Sequence, residues 1–168
     1  MSADGRSSAG GGPWNARLAA PEDTDVVARL LHDFNTEFDT PTPGPDVLAR
    51  RLRTLLGGDQ TLAIVAGEPP AGVAVVTLRP NVWYDGRVAL LDELYVVPRL
   101  RGRGAGSAIM RLLLTIARDR GVELIEINVD ESDVDAQRFY ERHGFSATST
   151  PGSSERSFYY SQEISTGG

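Results

Sequence analysis

The stretch Val96–Met110, VVPRLRGRGAGSAIM, joins a run of strand-forming residues to a run with helical periodicity. Gly102, Gly104 and Gly106 alternate with arginine and alanine just ahead of the apolar residues. The first amides of a helix lack internal hydrogen-bond partners, and glycine lets an anion approach them closely. The stretch therefore predicts a phosphate-binding turn between a strand and a helix, with a plain tight turn as the alternative.

A dinucleotide cradle is a third interpretation of these glycines. It requires the spacing G-x-G-x-x-G after the first strand of a doubly wound sheet. This chain has G-x-G-x-G in mid-sequence, after strand-like runs at 60–68, 71–80 and 87–97 that only short turns connect. Such short connections predict antiparallel neighbours, so the surroundings argue against dinucleotide binding.

The rest of the chain supplies helices and strands on both sides of the glycine turn. Apolar residues recur at helical spacing in four segments, at 21–38, 46–56, 105–120 and 133–144. Four further segments have strand character, at 14–20, 122–130, 145–150 and 156–164. The strand–helix–strand unit over 87–130 requires two parallel strands. The sequence therefore predicts an α/β fold with a mixed, mostly antiparallel sheet.

Composition limits the kinds of partner and of chemistry. The chain has 168 residues and a net charge of −6, which suits one globular domain and argues against nucleic-acid binding. It has no cysteine, and its 17 basic residues are all arginine, which excludes thiolate and lysine chemistry. No apolar run has membrane-spanning length, so we expect a cytoplasmic protein with no membrane partner. We expect a disordered tail at 1–13, one domain at 14–164 and a short tail at 165–168.

Two blocks of the sequence resemble the GNAT superfamily of N-acetyltransferases. The stretch at 96–110 is similar to that family's acetyl-CoA signature, in which a strand ending near V-x-P precedes Q/R-x-x-G-x-G/A. Arg101, Gly104 and Gly106 occupy the signature positions. The block ESDVDAQRFYERHGF at 131–145 resembles the family's N-x-x-A-x-x-F-Y-x-x-x-G-F, except that Asp133 stands where the family has asparagine.

The resemblance implies a sheet splayed between two parallel strands, flanked by about four helices, that holds acetyl-CoA as cosubstrate without a metal. The coenzyme pyrophosphate is then expected at Arg101, Gly102, Arg103, Gly104, Ala105, Gly106 and Ser107. Leu94, Tyr95 and Val96 are expected to pair with the pantetheine arm, and a backbone amide near the first two to polarise the acetyl carbonyl. The second block adds Phe139 and Asp133 as coenzyme contacts, although a carboxylate cannot donate a hydrogen bond as an amide does.

Three side chains are candidates for proton transfer. By the resemblance, Tyr140 protonates the departing thiolate; the alternative is a half-buried aromatic residue with no such role. Asp92 and Glu93 interrupt an apolar strand just before the coenzyme-contacting residues, so either could deprotonate the acceptor amine, with Asp92 marginally preferred. Strand alternation sends these two carboxylates to opposite faces of the sheet.

The resemblance implies an enzyme that transfers an acetyl group to a primary amine by direct attack in a ternary complex. The acidic balance favours a polyamine or another small cationic amine, as does the run LDELYV, which resembles the L-E-D-x-x-V of diamine acetyltransferases. Peptide N-termini, protein lysines and aminoglycosides stay open as acceptors, and a non-catalytic acyl-CoA-binding sensor is the alternative from another class. Asp33, Glu37 and Asp39 either border the acceptor pocket or form a solvated helix face. Dimers are common in the family, so a homodimer is a candidate assembly.

Overall fold

The computed structural model describes residues 14–148, 153–156, 158 and 160–163. These residues fall into two units that divide after Ile127. The tails expected at 1–13 and 165–168 lie outside the described residues, and the single domain at 14–164 stays a prediction. No helix in the described part of the chain is long and apolar enough to cross a membrane.

The first unit is built on a five-stranded sheet with the spatial order β1-β2-β3-β4-β5. Its strands are β1 (Ala16–Leu18), β2 (Thr61–Ala66), β3 (Gly72–Arg79), β4 (Arg87–Val96) and β5 (Val122–Ile127). Neighbours from β1 to β4 pair antiparallel, and β4 pairs parallel with β5. The predicted mixed, mostly antiparallel sheet is therefore confirmed.

Three helices cover the two faces of this sheet. They are α1 (Thr24–Glu37), α2 (Pro45–Leu56) and α3 (Ala105–Asp119). The apolar sides of α1 and α2 join Val73 and Tyr95 in one buried cluster. Gly72, next to Val73, faces Ile109 of α3, and adjacent strand residues point to opposite faces. Consequently α3 covers the face opposite to α1 and α2, where Ile109 and Met110 are fully buried.

The parallel pair in the middle of the chain separates before β4 ends. The pairing of β4 with β5 runs from Arg87 opposite Val122 to Leu91 opposite Ile127. β4 then continues for five residues, Asp92–Val96, of which Glu93–Val96 stay paired with β3. One edge of this last part of β4 is therefore not paired with β5. This agrees with a sheet that splays between its parallel strands.

The second unit contains α4 (Val134–Arg142), whose ends follow from its sequence. The Asp133 carboxylate caps the helix by accepting a 2.9 Å hydrogen bond from the Ala136 amide. Gly144, with φ of 87°, follows the helix, and the Phe145 amide donates to the Tyr140 carbonyl at 3.1 Å. This is the hydrogen bond of a glycine-terminated helix end, so the glycine and the last phenylalanine of the second block have a structural role.

The two strands predicted at 145–150 and 156–164 are not formed by their described residues. The structure shows one antiparallel bridge between Thr148 and Arg156. The other positions of these segments, at 149–150, 157, 159 and 164, lie outside the described residues.

Candidate active site

A glycine turn links β4 to α3. Pro98–Leu100 form one turn of 3-10 helix, and α3 begins at Ala105 directly after Gly104. Gly102 and Gly104 have φ of 71° and 96°, in the left-handed region that glycine adopts without strain. A Cβ atom on Gly102 would meet nothing within 4 Å, so the turn exposes bare backbone there.

The N-terminus of α3 suits an anion for two reasons. The first amides of a helix lack intrahelical acceptors, and here the Ala108 amide makes the bond to the Gly104 carbonyl at 2.9 Å. The first turn of α3 carries no acidic residue, whereas α1, α2 and α4 carry Asp25, Asp46 and Asp135 there. The helix dipole can therefore attract a phosphate without a competing carboxylate in that turn. The described residues of this turn thus fit the pyrophosphate of a coenzyme.

Trp14 fixes the turn from a distant part of the sequence. Its indole Nε1 donates a 2.7 Å hydrogen bond to the Arg103 carbonyl, 89 residues away. Its ring lies 3.7 Å from the place where a Cβ atom on Gly104 would stand. The Arg103 side chain itself is exposed. The backbone of the turn is therefore held by Trp14, which lies two residues before the start of β1.

The Arg101 guanidinium is engaged by α1 and β4. Its two terminal nitrogens donate to the two carboxylate oxygens of Glu37 at 2.7 Å each, and Nε donates to the Val96 carbonyl at 2.8 Å. Its central carbon lies 5.4 Å from the centroid of the Tyr95 ring. The positive charge of Arg101, a residue expected at the pyrophosphate, is thus paired with the negative charge of Glu37 on α1.

The backbone of β4 presents polar groups on the side that β5 has left. The Val97 amide donates to the Ala71 carbonyl at 2.9 Å, toward β3. Residues of an antiparallel strand alternate between facing the partner and facing away, so Tyr95 also faces β3. The amides and carbonyls of Leu94 and Val96 therefore face the open side, where Arg101 already occupies the Val96 carbonyl. Of the two predicted carbonyl-polarising amides, the register favours that of Leu94.

A β-bulge lies on β4 at the candidate bases. Val75 and Val76 of β3 pair with Glu93 and Leu91, which leaves Asp92 as an extra residue on β4. A bulge of this kind interrupts the regular alternation of side chains. Asp92 is also the first residue of the part of β4 that continues beyond its pairing with β5.

Asp92 and Glu93 consequently lie on the same face of the sheet. Val75, the partner of Glu93, shares a face with Thr77 because the two are separated by two positions on a regular strand. The Thr77 hydroxyl donates a 2.7 Å hydrogen bond to Asp92 Oδ2, which places Asp92 on that face too. The prediction that alternation separates the two carboxylates is wrong, because the extra residue shifts the register between them.

The two carboxylates have different surroundings. Glu93 is half-buried, and burial raises its pKa, with the negative charge of Asp92 acting in the same direction. Asp92 is exposed and holds the hydrogen bond from Thr77. Glu93 is therefore the carboxylate whose environment favours proton uptake, the reverse of the marginal preference from sequence.

A polar patch adjoins the two carboxylates on the same face. We define this polar patch by five residues that the strand pairings assign to the face that carries α1 and α2: Thr61, Thr77, Arg79, Asp92 and Glu126. Arg79 forms a 2.7 Å ion pair with Glu126 across the sheet. Among the described residues no arginine pairs with Asp92, so the patch carries an excess of negative charge. The face of the sheet is thus apolar under α1 and α2 and polar beyond them.

The remaining candidates, Tyr140, Phe139 and Asp133, belong to the second unit. Tyr140 is half-buried and its ring centroid lies 5.3 Å from that of Phe139 and 6.0 Å from that of Phe145. Phe139 also contacts His143, with 4.8 Å between ring centroids. Asp133 is engaged as the cap of α4. Within their own unit these residues form a helix end with an aromatic cluster.

Sequence reasoning missed the residues that support the turn. Trp14 was assigned only to a first strand, and nothing in the sequence links it to Arg103, because the contact is long-range. Glu37 was grouped with Asp33 and Asp39 at the end of α1, but the structure pairs it with Arg101. The available signal was the position of Glu37 at the end of α1, where a side chain can reach a neighbouring loop.

Comparison with known proteins agrees with this architecture. The model of the acetyltransferase (GNAT) family matches residues 25–145. A crystal structure described as that of an acetyltransferase from Arthrobacter sp. FB24 has 51% sequence identity and a TM-score of 0.84, and covers 94% of this chain and 99% of that one. AAC(6')-Iy in complex with the bisubstrate analogue CoA-S-monomethyl-acetylneamine has the same fold, with 16% identity, a TM-score of 0.72, and coverage of 91% and 100%.

Curated relatives are also similar to this chain. The aminoalkylphosphonate N-acetyltransferase of Salmonella typhimurium is 29% identical over 77% of this chain and 82% of its own length. An uncharacterised N-acetyltransferase of Mycobacterium bovis is 36% identical over 39% of this chain, a match that spans 42% of that relative's length. The chain therefore belongs to the acetyltransferase (GNAT) family, the family of N-acetyltransferases that its sequence resembles.

Proposed function

We propose that this chain transfers an acetyl group from acetyl-CoA to a primary amine, and that residues 14–164 form one catalytic domain. The observation that carries the proposal is that the end of β4, unpaired with β5, runs along the chain directly into the glycine turn. The free-facing backbone of Leu94 suits the amides of a pantetheine arm, and the turn at 101–107 suits a pyrophosphate. Bound acetyl-CoA would supply an activated thioester carbonyl at the bulge end of this part of β4.

The proposed base is Glu93, with Asp92 as the residue that tunes it. An amine at neutral pH is an ammonium ion, which must lose a proton before it can attack. The pKa of Glu93 is raised by burial and by the charge of Asp92, so its carboxylate accepts a proton more readily than an exposed glutamate does. Because both carboxylates are on one face, they can also hold the ammonium before it is deprotonated.

The proposed chemistry is one direct acyl transfer. Glu93 takes one proton from the ammonium, the amine nitrogen then forms a bond to the acetyl carbon, and the carbon–sulfur bond breaks as Tyr140 gives its proton to the thiolate. The acetylated nitrogen releases its second proton, which restores the Tyr140 phenol. The Leu94 amide would donate a hydrogen bond to the carbonyl oxygen as negative charge develops there. Tyr140 is assigned by its position in the second block, and its phenol is a donor of suitable strength.

For the acceptor we propose a small cationic amine, with polyamines as the first candidates. The polar patch next to Glu93 has more negative than positive charge, which favours a cation. A second candidate is an amine with an anionic group, since the Salmonella typhimurium relative is named for aminoalkylphosphonates and Arg79 lies in the patch. Peptide N-termini and protein lysines would require an extended binding surface.

A turnover assay over a panel of amines tests the proposal. Acetyl-CoA is supplied with polyamines, monoamines, aminoalkylphosphonates, aminoglycosides and peptides, and the released thiol is measured. We expect thiol release above the hydrolysis background with cationic small amines. Coenzyme A binding without turnover on any amine would instead identify an acyl-CoA-binding sensor, and no coenzyme A binding would overturn the proposal.

A further inference from the structure

The Glu37–Arg101 pair connects the end of α1 to the first residue of the glycine turn. Both oxygens of the carboxylate and both terminal nitrogens of the guanidinium are used, at 2.7 Å each. Planar two-point pairing of this kind fixes orientation as well as distance. The arginine therefore has a single well-defined direction, set by a residue 64 positions earlier in the chain.

The remaining contacts of Arg101 tie the same point to β4. Nε donates to the Val96 carbonyl, and the guanidinium lies over the ring of Tyr95. Tyr95 is only 5% exposed and is stacked on Phe34 of α1, with 5.1 Å between ring centroids. A hydrogen bond with Arg101 lowers the pKa of Glu37, and one with Tyr95 acts in the same direction, so the carboxylate stays charged at neutral pH. The Glu37–Arg101 pair, which we call the clamp, thus rests on the buried ring of Tyr95 and, behind it, the half-buried ring of Phe34.

From this geometry we infer that Glu37 is a positioning residue for coenzyme binding, acting through Arg101. Arg101 cannot present its fork to a phosphate without breaking three hydrogen bonds and leaving the Glu37 charge unmatched. Its function is instead to hold the end of β4 and the start of the turn at the spacing that places the α3 amides on the pyrophosphate. This inference rests on the proposed function, because it takes the turn as the coenzyme site.

If Glu37 positions the turn, removal of its charge should change the affinity for coenzyme A in the direction opposite to the one expected from charge repulsion alone. Coenzyme A is an anion, so removal of the Glu37 charge should strengthen its binding if the glutamate acts only through its field or only by competing for Arg101. If Glu37 positions the turn, the same removal weakens binding. Glu37→Gln keeps the size of the side chain and removes the charge, so the direction of the change decides between the two.

The experiment is a calorimetric titration of coenzyme A into the full chain and its variants. We expect Glu37→Gln to weaken binding about tenfold, the equivalent of one charge-assisted hydrogen bond. Arg101→Lys keeps the charge but loses the fork, and we expect a loss of similar size. The double variant should bind coenzyme A no more weakly than either single variant, since both changes break the same Glu37–Arg101 pair. Glu22→Gln, the same change at an exposed glutamate of the first unit, should leave binding unchanged.

Three results would overturn the inference. One is unchanged or tighter coenzyme A binding by Glu37→Gln, and another is wild-type binding by Arg101→Lys. The third is a loss of affinity of Glu37→Gln for S-acetylpantetheine as large as its loss for coenzyme A. S-acetylpantetheine lacks the pyrophosphate, so this result would show general damage to the fold. Thermal unfolding of each variant checks that the compared proteins are folded. Failure of the wild-type chain to bind coenzyme A would refute the proposed function itself, a separate outcome.

Discussion

The Thr77 hydroxyl and the Asp92 carboxylate are joined by a 2.7 Å hydrogen bond at the point where β4 bulges. This bond holds Asp92 on the face of the sheet to which the bulge also brings Glu93. One carboxylate is exposed and the other half-buried. Burial, and after it the charge of Asp92, raise the pKa of Glu93, so we propose that the two act as a base and its modulator rather than as two equivalent groups.

Replacement of Glu93 by glutamine tests the base directly. We expect Glu93→Gln to lower kcat with acetyl-CoA by about 10²- to 10⁴-fold, the usual contribution of a positioned general base. In the wild-type enzyme, kcat/KM should fall as the pH is lowered through the raised pKa of Glu93, because the protonated form cannot accept a proton. The variant should lose this acidic limb. A variant with the wild-type pH–rate profile would exclude Glu93 as the base.

The same variant should change stability in a direction that controls for misfolding. The pKa of Glu93 is higher in the folded than in the unfolded chain, so the folded state binds the proton more tightly and loses stability as the pH rises. Glutamine carries no such charge. We therefore expect Glu93→Gln to raise the free energy of unfolding at neutral pH, with the difference shrinking below the ordinary glutamate pKa. Lower stability at neutral pH would contradict the raised pKa.

Replacement of Asp92 by asparagine should move the pH profile rather than abolish activity. The charge of Asp92 contributes to the raised pKa of Glu93, so its removal should lower that pKa and shift the acidic limb of kcat/KM to lower pH. Measurement of initial rates across the acidic range checks the shift. If Asp92→Asn instead eliminates turnover at every pH, Asp92 is the base and the assignment of roles is reversed.

The glycine turn can be tested through its backbone alone. Gly104 has φ of 96°, a conformation that costs an alanine about 1–2 kcal/mol, and the Cβ atom would meet no close neighbour. We expect Gly104→Ala to raise the KM for acetyl-CoA and to leave kcat nearly unchanged. Gly44→Ala is the matched control, since Gly44 has φ of 92° and a Cβ atom there would meet nothing within 4 Å. An equal KM effect in both variants would refute a specific role for the turn.

The sequence predicted most of the fold because local signals and spacing were strong. The segment 87–130 was correctly interpreted as a parallel strand–helix–strand unit, since an intervening helix forces that direction. Alternation counted without the bulge at Asp92 put Asp92 and Glu93 on opposite faces of the sheet. A one-residue bulge leaves no signature in composition, yet it moves every later side chain of the strand.

The support of the glycine turn could not be predicted for a different reason. The glycines themselves are local, and their left-handed conformations follow from the residue type. The contacts from Trp14 and Glu37 join positions 89 and 64 residues apart, and only the folded chain brings them together. Sequence reasoning therefore located the turn but gave no sign of the ion pair between Arg101 and Glu37 of α1.

Replacement of Tyr140 by phenylalanine tests the assignment that rests on the second block. The change removes only the hydroxyl, so the ring contacts with Phe139 and Phe145 are retained. We expect Tyr140→Phe to lower kcat by about 10²-fold or more, with little change in the KM for acetyl-CoA, because a proton donor acts only as the thiolate departs. Tyr160→Phe, which removes the hydroxyl of an 88% exposed tyrosine, serves as the control and should keep wild-type kcat. If Tyr140→Phe also keeps it, the thiolate takes its proton from another donor, and the tyrosine has the structural role of closing the end of α4.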